Sequence, residues 1–135
     1  YPVRLVIGPR DLQNGLAEVA RRDTKEKTTI PLDGIEQYIA QLLADIQENI
    51  FRKALTFRDD HITPANNWNE FIDILDNKGG FVSAHWDGTP ETEDKIKELS
   101  KATIRCIPLE NVLEPGHCIL TGKPSVQRVL FARAY

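Results

Sequence analysis

Methionine is absent from all 135 residues, and the first position is Tyr1. Because an intracellular protein normally begins with methionine, we expect this chain to be a piece of a longer protein. The sequence also lacks any apolar run near the ~18 residues that a membrane-spanning helix needs, and no signal-peptide pattern opens it. We therefore expect a protein that has no contact with a membrane.

Cysteine is scarce as well, with only Cys106 and Cys118 in the chain. Two cysteines in a chain that is 41% hydrophobic indicate reduced thiols and a cytoplasmic location, since small secreted domains that depend on disulfides carry many more. Cys106 follows Ile104 and precedes Ile107 in a segment that alternates like a strand. The sequence therefore predicts a buried thiol there rather than a nucleophile.

The net charge of -3 excludes a wholly basic protein that coats nucleic acid. The charge is uneven, however, because residues 1–28 and residues 102–135 each carry a net charge of +2. Five cations fall within 18 residues of the first segment and could contact phosphates or base edges: Arg10, Arg21, Arg22, Lys25 and Lys27. Acidic residues lie among them, so a solvated hairpin tip without a ligand is the alternative. These acidic residues are Asp11, Asp23 and Glu26.

The first part of the chain reads as strands followed by one long helix. Residues 4–7, 16–21 and 28–30 have strand-like composition, and Gly8-Pro9 and Asn14-Gly15 are turn signals. Apolar residues then recur every three or four positions, which predicts a helix over residues 34–59 that is roughly 40 Å long. Its inward residues are predicted to be Ile35, Ile39, Leu42, Leu43, Ile46, Ile50, Ala54 and Phe57.

Residues 61–67 resemble a linker, and a second unit of mixed structure follows. We predict a short helix over 68–75, a strand over 81–86, and a helix from Pro90 with Ile96 and Leu99 facing inward. Two further strands are predicted over 103–109 and 127–134. The fold class is therefore α/β (α+β), with domains at 1–60 and 61–135 joined by the long helix.

Several blocks of the sequence resemble the C-terminal end of prolyl-tRNA synthetase, of the archaeal and eukaryotic-like type that also occurs in some bacteria. The similarity runs in register from near residue 2 to the last residue. The blocks are Gly8-Pro9-Arg10-Asp11-Leu12, Val19-Ala20-Arg21-Arg22-Asp23-Thr24, Gly79-Gly80-Phe81 through His85-Trp86, Thr103-Ile104-Arg105-Cys106-Ile107-Pro108, and Arg128-Val129-Leu130-Phe131-Ala132-Arg133-Ala134-Tyr135.

The resemblance implies a class II ligase that activates proline with ATP and magnesium and attaches it to its tRNA. It also implies that the catalytic domain lies upstream and forms a homodimer, so that this fragment alone is inactive. Residues 1–60 would be the C-terminal portion of the α/β anticodon-binding domain, and residues 61–135 the small C-terminal domain.

The resemblance further suggests roles for individual residues. Arg10, Arg21 and Arg22 fall in blocks that match the anticodon-binding domain and are the candidate contacts to tRNA, with Lys25 and Lys27 beside them. Single-stranded anticodon bases are splayed out and are read by arginine side chains and stacking. The last residue, Tyr135, is expected to direct its carboxylate towards the catalytic domain, and the alternative is that it simply packs at the end of a strand.

The C-terminal domain of this family often binds zinc through four cysteines. Here the four matching positions are Asp87, Thr92, Cys118 and Thr121, so one thiolate of four remains. Structural zinc favours four Cys or His ligands, and threonine hydroxyls are poor substitutes. We therefore predict that zinc is absent, although His85 and His117 are close enough in sequence to suggest a mixed site as an alternative.

Two other functions are compatible with the same residues. The chain could be a free-standing RNA-binding module derived from a synthetase, without ligase activity. It could also be a stable structural appendage that does not contact RNA.

Overall fold

The computed structural model describes residues 1–134, and the chain separates into two compact units, Tyr1–Phe57 and a second that begins at Arg58. The predicted α/β (α+β) class is confirmed by the mixture of helices and sheets in both units. Across residues 1–134, no helix combines the length and the apolar character that spanning a membrane requires.

The first unit contains a three-stranded antiparallel sheet in the order β1-β2-β3. The strands are β1 (Val3–Val6), β2 (Leu16–Arg21) and β3 (Lys27–Pro31), in agreement with the three predicted strands.

The segment between β1 and β2 is a short helix, α1 (Pro9–Asn14), where the sequence indicated only turns. Its first turn is closed by Asp11, whose carboxylate accepts a hydrogen bond of 2.8 Å from the Gly8 N–H. The helix ends at Gly15, which adopts the left-handed conformation with φ of 66° that favours glycine.

The long helix α2 (Ile35–Asp60) is confirmed. Leu42 and Ile46 of α2 are buried against Val19 and Ile30 of the sheet, with Ile35 and Ile39 partly buried beside them. The inward prediction is wrong for four residues of the helix that are exposed, which are Leu43, Ile50, Ala54 and Phe57. The buried contacts of the helix with the sheet therefore come from its first half.

The second unit begins with strand β4 (Ile62–Pro64), where the sequence suggested a linker. Helix α3 (Trp68–Asp73) follows and continues as one wide turn over Ile74–Lys78. Next come β5 (Phe81–His85), α4 (Pro90–Ser100) and β6 (Ala102–Cys106). The last elements are the two-residue strands β7 (Gly116–His117) and β8 (Pro124–Ser125), and then β9 (Arg128–Arg133).

The main sheet of this unit has the order β4-β5-β9-β6. β4 runs parallel to β5, whereas β9 pairs antiparallel with both β5 and β6. The core is formed by side chains with little or no exposed surface, including Phe71, Val82, Ile96, Val129 and Phe131.

Two burial predictions in this unit are wrong. Leu99 is 58% exposed, because the buried stripe of α4 is Thr92, Ile96 and Ser100 at four-residue spacing and Leu99 lies off that stripe. Cys106 is exposed, because an irregularity in the pairing of β6 with β9 between Ile104 and Cys106 interrupts the alternation of faces. Cys118 is the buried thiol.

Candidate nucleic-acid interface

The turn over residues 22–26 joins β2 to β3 and carries two of the five candidate cations, Arg22 and Lys25, with Arg21 and Lys27 directly beside it. The turn is closed by the Arg21 N–H, which donates a hydrogen bond of 2.9 Å to the Glu26 carbonyl oxygen. Lys25 within it has a φ of 64°, a left-handed conformation that is uncommon for a residue with a side chain. Thr24 and Glu26 are joined by a side-chain hydrogen bond of 2.9 Å. We call residues 22–26 the tip.

Next to the tip lies an open cavity of about 520 Å³, and five of its lining residues are cationic. Four of the five predicted candidates line it, Arg21, Arg22, Lys25 and Lys27, whereas Arg10 lies on α1 and is not part of the lining. The rest of the lining is Tyr1, Pro2, Val3, Arg4 and Ala20.

Arg4 was missed by the sequence reasoning. It lies on β1 directly opposite Ala20 of β2, and it lines the same cavity as the tip. The signal that could have found it is the antiparallel pairing of residues 4–7 with residues 16–21, because that pairing places Arg4 opposite Ala20, close to the turn that carries Arg22.

Arg21 is paired within the protein. Its Nε and one terminal nitrogen donate to the two carboxylate oxygens of Asp23 at 3.0 and 2.7 Å. The hydrogen bond and charge of Asp23 raise the pKa of Arg21, and the hydrogen bond from Arg21 holds the pKa of Asp23 far below its usual range. Both shifts favour the ionised forms of the two side chains.

The other cations of the cavity differ in their partners. The side chains of Arg4, Arg22 and Lys25 are exposed, and within residues 1–134 none of them forms an ion pair. Lys27 lies 3.3 Å from a carboxylate oxygen of Glu18, with both side chains partly exposed. Three unpaired cations beside a mainly apolar floor form a surface that suits a phosphate chain with unstacked bases.

Three of the four positions that match zinc ligands converge around one carboxylate. One oxygen of Asp87 accepts hydrogen bonds of 2.9 Å from the hydroxyls of Thr92 and Thr121, and the other accepts 2.9 Å from the Thr89 hydroxyl. Cys118 is buried nearby in the turn that leads to Thr121, and its N–H donates to the Lys123 carbonyl at 2.8 Å. We call Asp87, Thr89, Thr92 and Thr121 the threonine cluster.

The threonine cluster does not fit a structural zinc. The carboxylate of Asp87 is occupied by hydroxyl donors, and one thiol stands where tetrahedral zinc takes four Cys or His ligands. Within residues 1–134, no group of three or more His, Cys, Asp or Glu side chains is placed to hold a metal ion.

The mixed site with histidines is also not assembled. His85 is 6% exposed and lies between other partners, with Nδ1 3.1 Å from the Ser125 hydroxyl and Nε2 3.2 Å from a Glu114 oxygen. His117, the last residue of β7, is exposed, whereas Cys118, which follows the strand, is buried.

The hydrogen-bonded series Ser125–His85–Glu114 resembles the Ser-His-acid triad of a hydrolase, but its contacts are those of a structural cluster. The Ser125 hydroxyl lies 3.0 Å from the Gln127 carbonyl, to which it donates, and its residue is 7% exposed. Glu114 is also bound by Arg128, and the hydrogen bonds from Arg128 and His85 lower the pKa of the Glu114 carboxylate. A buried hydroxyl that donates to a backbone carbonyl is not an activated nucleophile.

Comparison with known proteins assigns both units. Residues 68–135 match the family described as "Prolyl-tRNA synthetase, C-terminal", which is half of the chain. The chain belongs to the prolyl-tRNA synthetase family. Residues 1–42 match the family described as "Anticodon binding domain". The cavity with its five cations therefore lies within the part of this synthetase sequence that resembles an anticodon-binding domain.

Curated relatives carry the same family name. The chain is 61% identical over 134 residues to a protein named "Proline--tRNA ligase" from Flavobacterium psychrophilum, and 59% identical to one from Cytophaga hutchinsonii. A relative of the same name from Phocaeicola vulgatus is 60% identical over 137 residues. In each case 99% of this chain is covered, but the chain spans only 27% of the length of the relative. The predicted resemblance to the C-terminal part of prolyl-tRNA synthetase is confirmed. Tyr135 lies outside the described residues.

Proposed function

We propose that this chain is the tRNA-binding and C-terminal structural region of a cytoplasmic proline–tRNA ligase. In that enzyme proline would be activated with ATP and magnesium and attached to its tRNA by a catalytic domain outside these residues, in a homodimer formed by the catalytic domains. The domains of the proposal are 1–60 and 61–135. The observation that carries it is the cluster of unpaired cations in the unit that matches an anticodon-binding domain.

The chemistry of this surface suits a single-stranded RNA loop. Arg22, Lys25 and Arg4 can neutralise phosphates, and each such contact releases bound counterions and makes the affinity depend on salt. The apolar floor beside them can support an unstacked base. Lys27 belongs to the same surface but shares its charge with Glu18, and Arg10 would act from α1 outside the cavity.

The two alternative functions predict different behaviour of this surface. A free-standing module would bind RNA through the same cations without any ligase activity in the complete protein. A structural appendage would not bind RNA at all. The high identity to relatives named proline–tRNA ligase over 99% of the chain favours the ligase.

Replacing Arg22 or Lys25 by alanine in the full-length protein tests the proposal. We expect weaker binding of tRNA for proline and a rise in KM for tRNA that exceeds any effect on proline activation. The salt slope, which is the steepness with which the logarithm of the binding constant falls with the logarithm of the salt concentration, should decrease by about 0.7 for each phosphate that the variant no longer neutralises. Arg52→Ala is the matched control, since Arg52 is an exposed arginine of the same unit that pairs with Glu48 on α2. Unchanged tRNA binding in both test variants would contradict the proposal and favour the alternative that the tip is a solvated hairpin without a ligand.

A further inference from the structure

We propose that Asp23 is a positioning residue that anchors the tip to helix α2 and so presents Arg22 and Lys25 to RNA. In this arrangement Arg21 is part of the anchor and is not itself a contact to tRNA. The inference rests on the proposed function, because it concerns how the same surface is held.

The anchor consists of four bonds to one aspartate. The side chain of Asp23 is only 1% exposed although it belongs to an exposed turn. Besides the two bonds from Arg21, its Oδ2 accepts 2.6 Å from the side-chain amide of Asn49, and its carbonyl oxygen accepts 3.3 Å from Lys53 Nζ. Asn49 and Lys53 both lie on α2, 26 and 30 residues further along the chain. Hydrogen bonds to Asp23, the second residue of the tip, thus connect the tip to helix α2.

The same bonds explain why Arg21 is a poor ligand for phosphate. An arginine recognises phosphate through paired, parallel N–H donors, and Arg21 already uses Nε and a terminal nitrogen on Asp23. Its charge is also neutralised at 2.7 Å. Arg22, the next residue, is exposed and outside the anchor, so adjacent arginines have different tasks.

Anchoring the tip matters because a mobile turn must be ordered when it binds. Fixing side chains and backbone on association opposes binding, and a turn that is already fixed avoids that penalty. Without the anchor, Arg22 and Lys25 keep their charges but lose their fixed direction. The affinity should then fall while the number of phosphates neutralised, and hence the salt slope, stays the same.

Asn49→Ala is the sharpest test, because it removes a bond from the helix side of the anchor without changing any charge. In the full-length protein we expect the Kd for a transcript of tRNA for proline to rise about threefold to tenfold, with an unchanged salt slope between about 50 and about 200 mM KCl. Gln41→Ala is the matched control, since the Gln41 amide donates to Asp45 on the same helix at 2.9 Å and does not reach the tip. It should leave the Kd unchanged.

Arg21→Gln, Asp23→Asn and their combination extend the test to the pair itself. Each single variant should weaken binding by about fivefold to tenfold. The double variant should bind no more weakly than either single variant, because the two substitutions disrupt the same anchor. The slope should stay that of the unmodified protein, in contrast to Arg22→Ala.

Three results would overturn the anchor: an unchanged Kd for Asn49→Ala, a tighter Kd for Asp23→Asn, or a salt slope that falls in Arg21→Gln as it does in Arg22→Ala. The last two would make Arg21 a direct contact restrained by Asp23. Failure of the proposed function looks different, because tRNA binding would then be insensitive to Arg22→Ala and Lys25→Ala as well.

Discussion

Lys25 and Lys101 both adopt the left-handed backbone conformation, with φ of 64° and 62°, although neither is glycine. A side chain in this region brings its Cβ close to the following carbonyl oxygen and costs roughly 1–2 kcal/mol. Lys101 follows helix α4, and its N–H donates to the Lys97 carbonyl at 2.9 Å, which is the usual place for a left-handed residue. Lys25 has no such helix end to close, so its strain is a feature of the tip.

We predict that Lys25→Gly separates the stability of the protein from its affinity for RNA. Glycine relieves the strain but is more flexible when unfolded, so the free energy of unfolding should rise by about 0.5–1 kcal/mol. The affinity for tRNA should fall because a cation is removed from the cavity. Denaturant unfolding and a tRNA binding titration measure the two effects.

Lys101→Gly provides the matched control for this prediction. It relieves the same kind of strain in the other unit, and we expect a similar gain in the free energy of unfolding with no change in the Kd for tRNA. A loss of tRNA affinity in Lys101→Gly equal to that in Lys25→Gly would show that the charge of the tip is not the cause.

At the scale of elements, the threonine cluster joins the turn before α4 to the turn between β7 and β8 through one carboxylate. Burial would raise the pKa of Asp87, but the hydrogen bonds from Thr89, Thr121 and Thr92 outweigh burial and leave its pKa below the ordinary value. A carboxylate with a lowered pKa stabilises the folded protein above its unfolded pKa of about 3.9, and this stabilisation is lost as the pH falls through the folded value.

Asp87→Asn should therefore reduce the free energy of unfolding at neutral pH by about 1 kcal/mol, since an amide accepts these bonds less strongly than a carboxylate. The difference from the unmodified protein should begin to shrink below about pH 4, where the unfolded chain takes up a proton at this position, and should disappear once the folded carboxylate is protonated as well. Denaturant unfolding at a series of pH values measures both effects. Asp94→Asn on the exposed side of α4 is the control and should follow the unmodified curve, and a difference that persists unchanged into acid would contradict this role of Asp87.

The same cluster leads us to predict that the second unit is stable without zinc. Untagged protein should contain well below one zinc per chain, and a chelator should leave its Tm unchanged. The triple variant Asp87→Cys, Thr92→Cys, Thr121→Cys is the positive control, because with Cys118 it provides four thiolates around one point. Stoichiometric, chelator-sensitive zinc in the unmodified protein would contradict the prediction that these hydroxyls cannot replace cysteine ligands.

Elements with a clear periodic pattern are predictable from the sequence, whereas the short helix α1, the strand β4 and the irregularity in β6 are not. The spacing of apolar residues predicted α2 to within about one residue at each end, and Pro90 correctly marked the start of α4. The sequence predicts a linker where β4 lies, because these three residues become a strand only by pairing with β5, about 20 residues later. Cys106 was placed on the wrong face because strict alternation fails where β6 is irregular.

The sequence predicts a group of neighbouring cations as the candidate site, but it does not predict how their side chains are arranged. The group of cations in and beside the tip is visible in the sequence, and four of the five candidates line one cavity. The sequence could not show that Arg21 is committed to Asp23, since two residues apart on a turn they could equally point apart. It also could not show that Asn49 reaches Asp23 from α2, because that contact depends on how the helix lies on the sheet.

At the scale of the whole molecule, the described residues bring four of the five candidate cations to one cavity. The buried Ser125 is directed to a carbonyl, and the sequence contains no phosphate-binding loop of the kind that a nucleotide site uses. We predict that the purified 135-residue chain shows no proline-dependent exchange of pyrophosphate into ATP. Exchange above that of a mock preparation from the same host would place catalysis in these residues.

The position of β9 in its sheet has a consequence for how the second unit is made. β9 lies between β5 and β6, yet it follows β5 in the chain by more than 40 residues. Contacts between residues this far apart in sequence slow the formation of a fold. During synthesis at about 5–20 residues per second, β5 and β6 leave the ribosome seconds before the strand that joins them. Until β9 emerges, β5 and β6 have no neighbour on the side they will share, so the core beneath them cannot close before the last of the described strands is made.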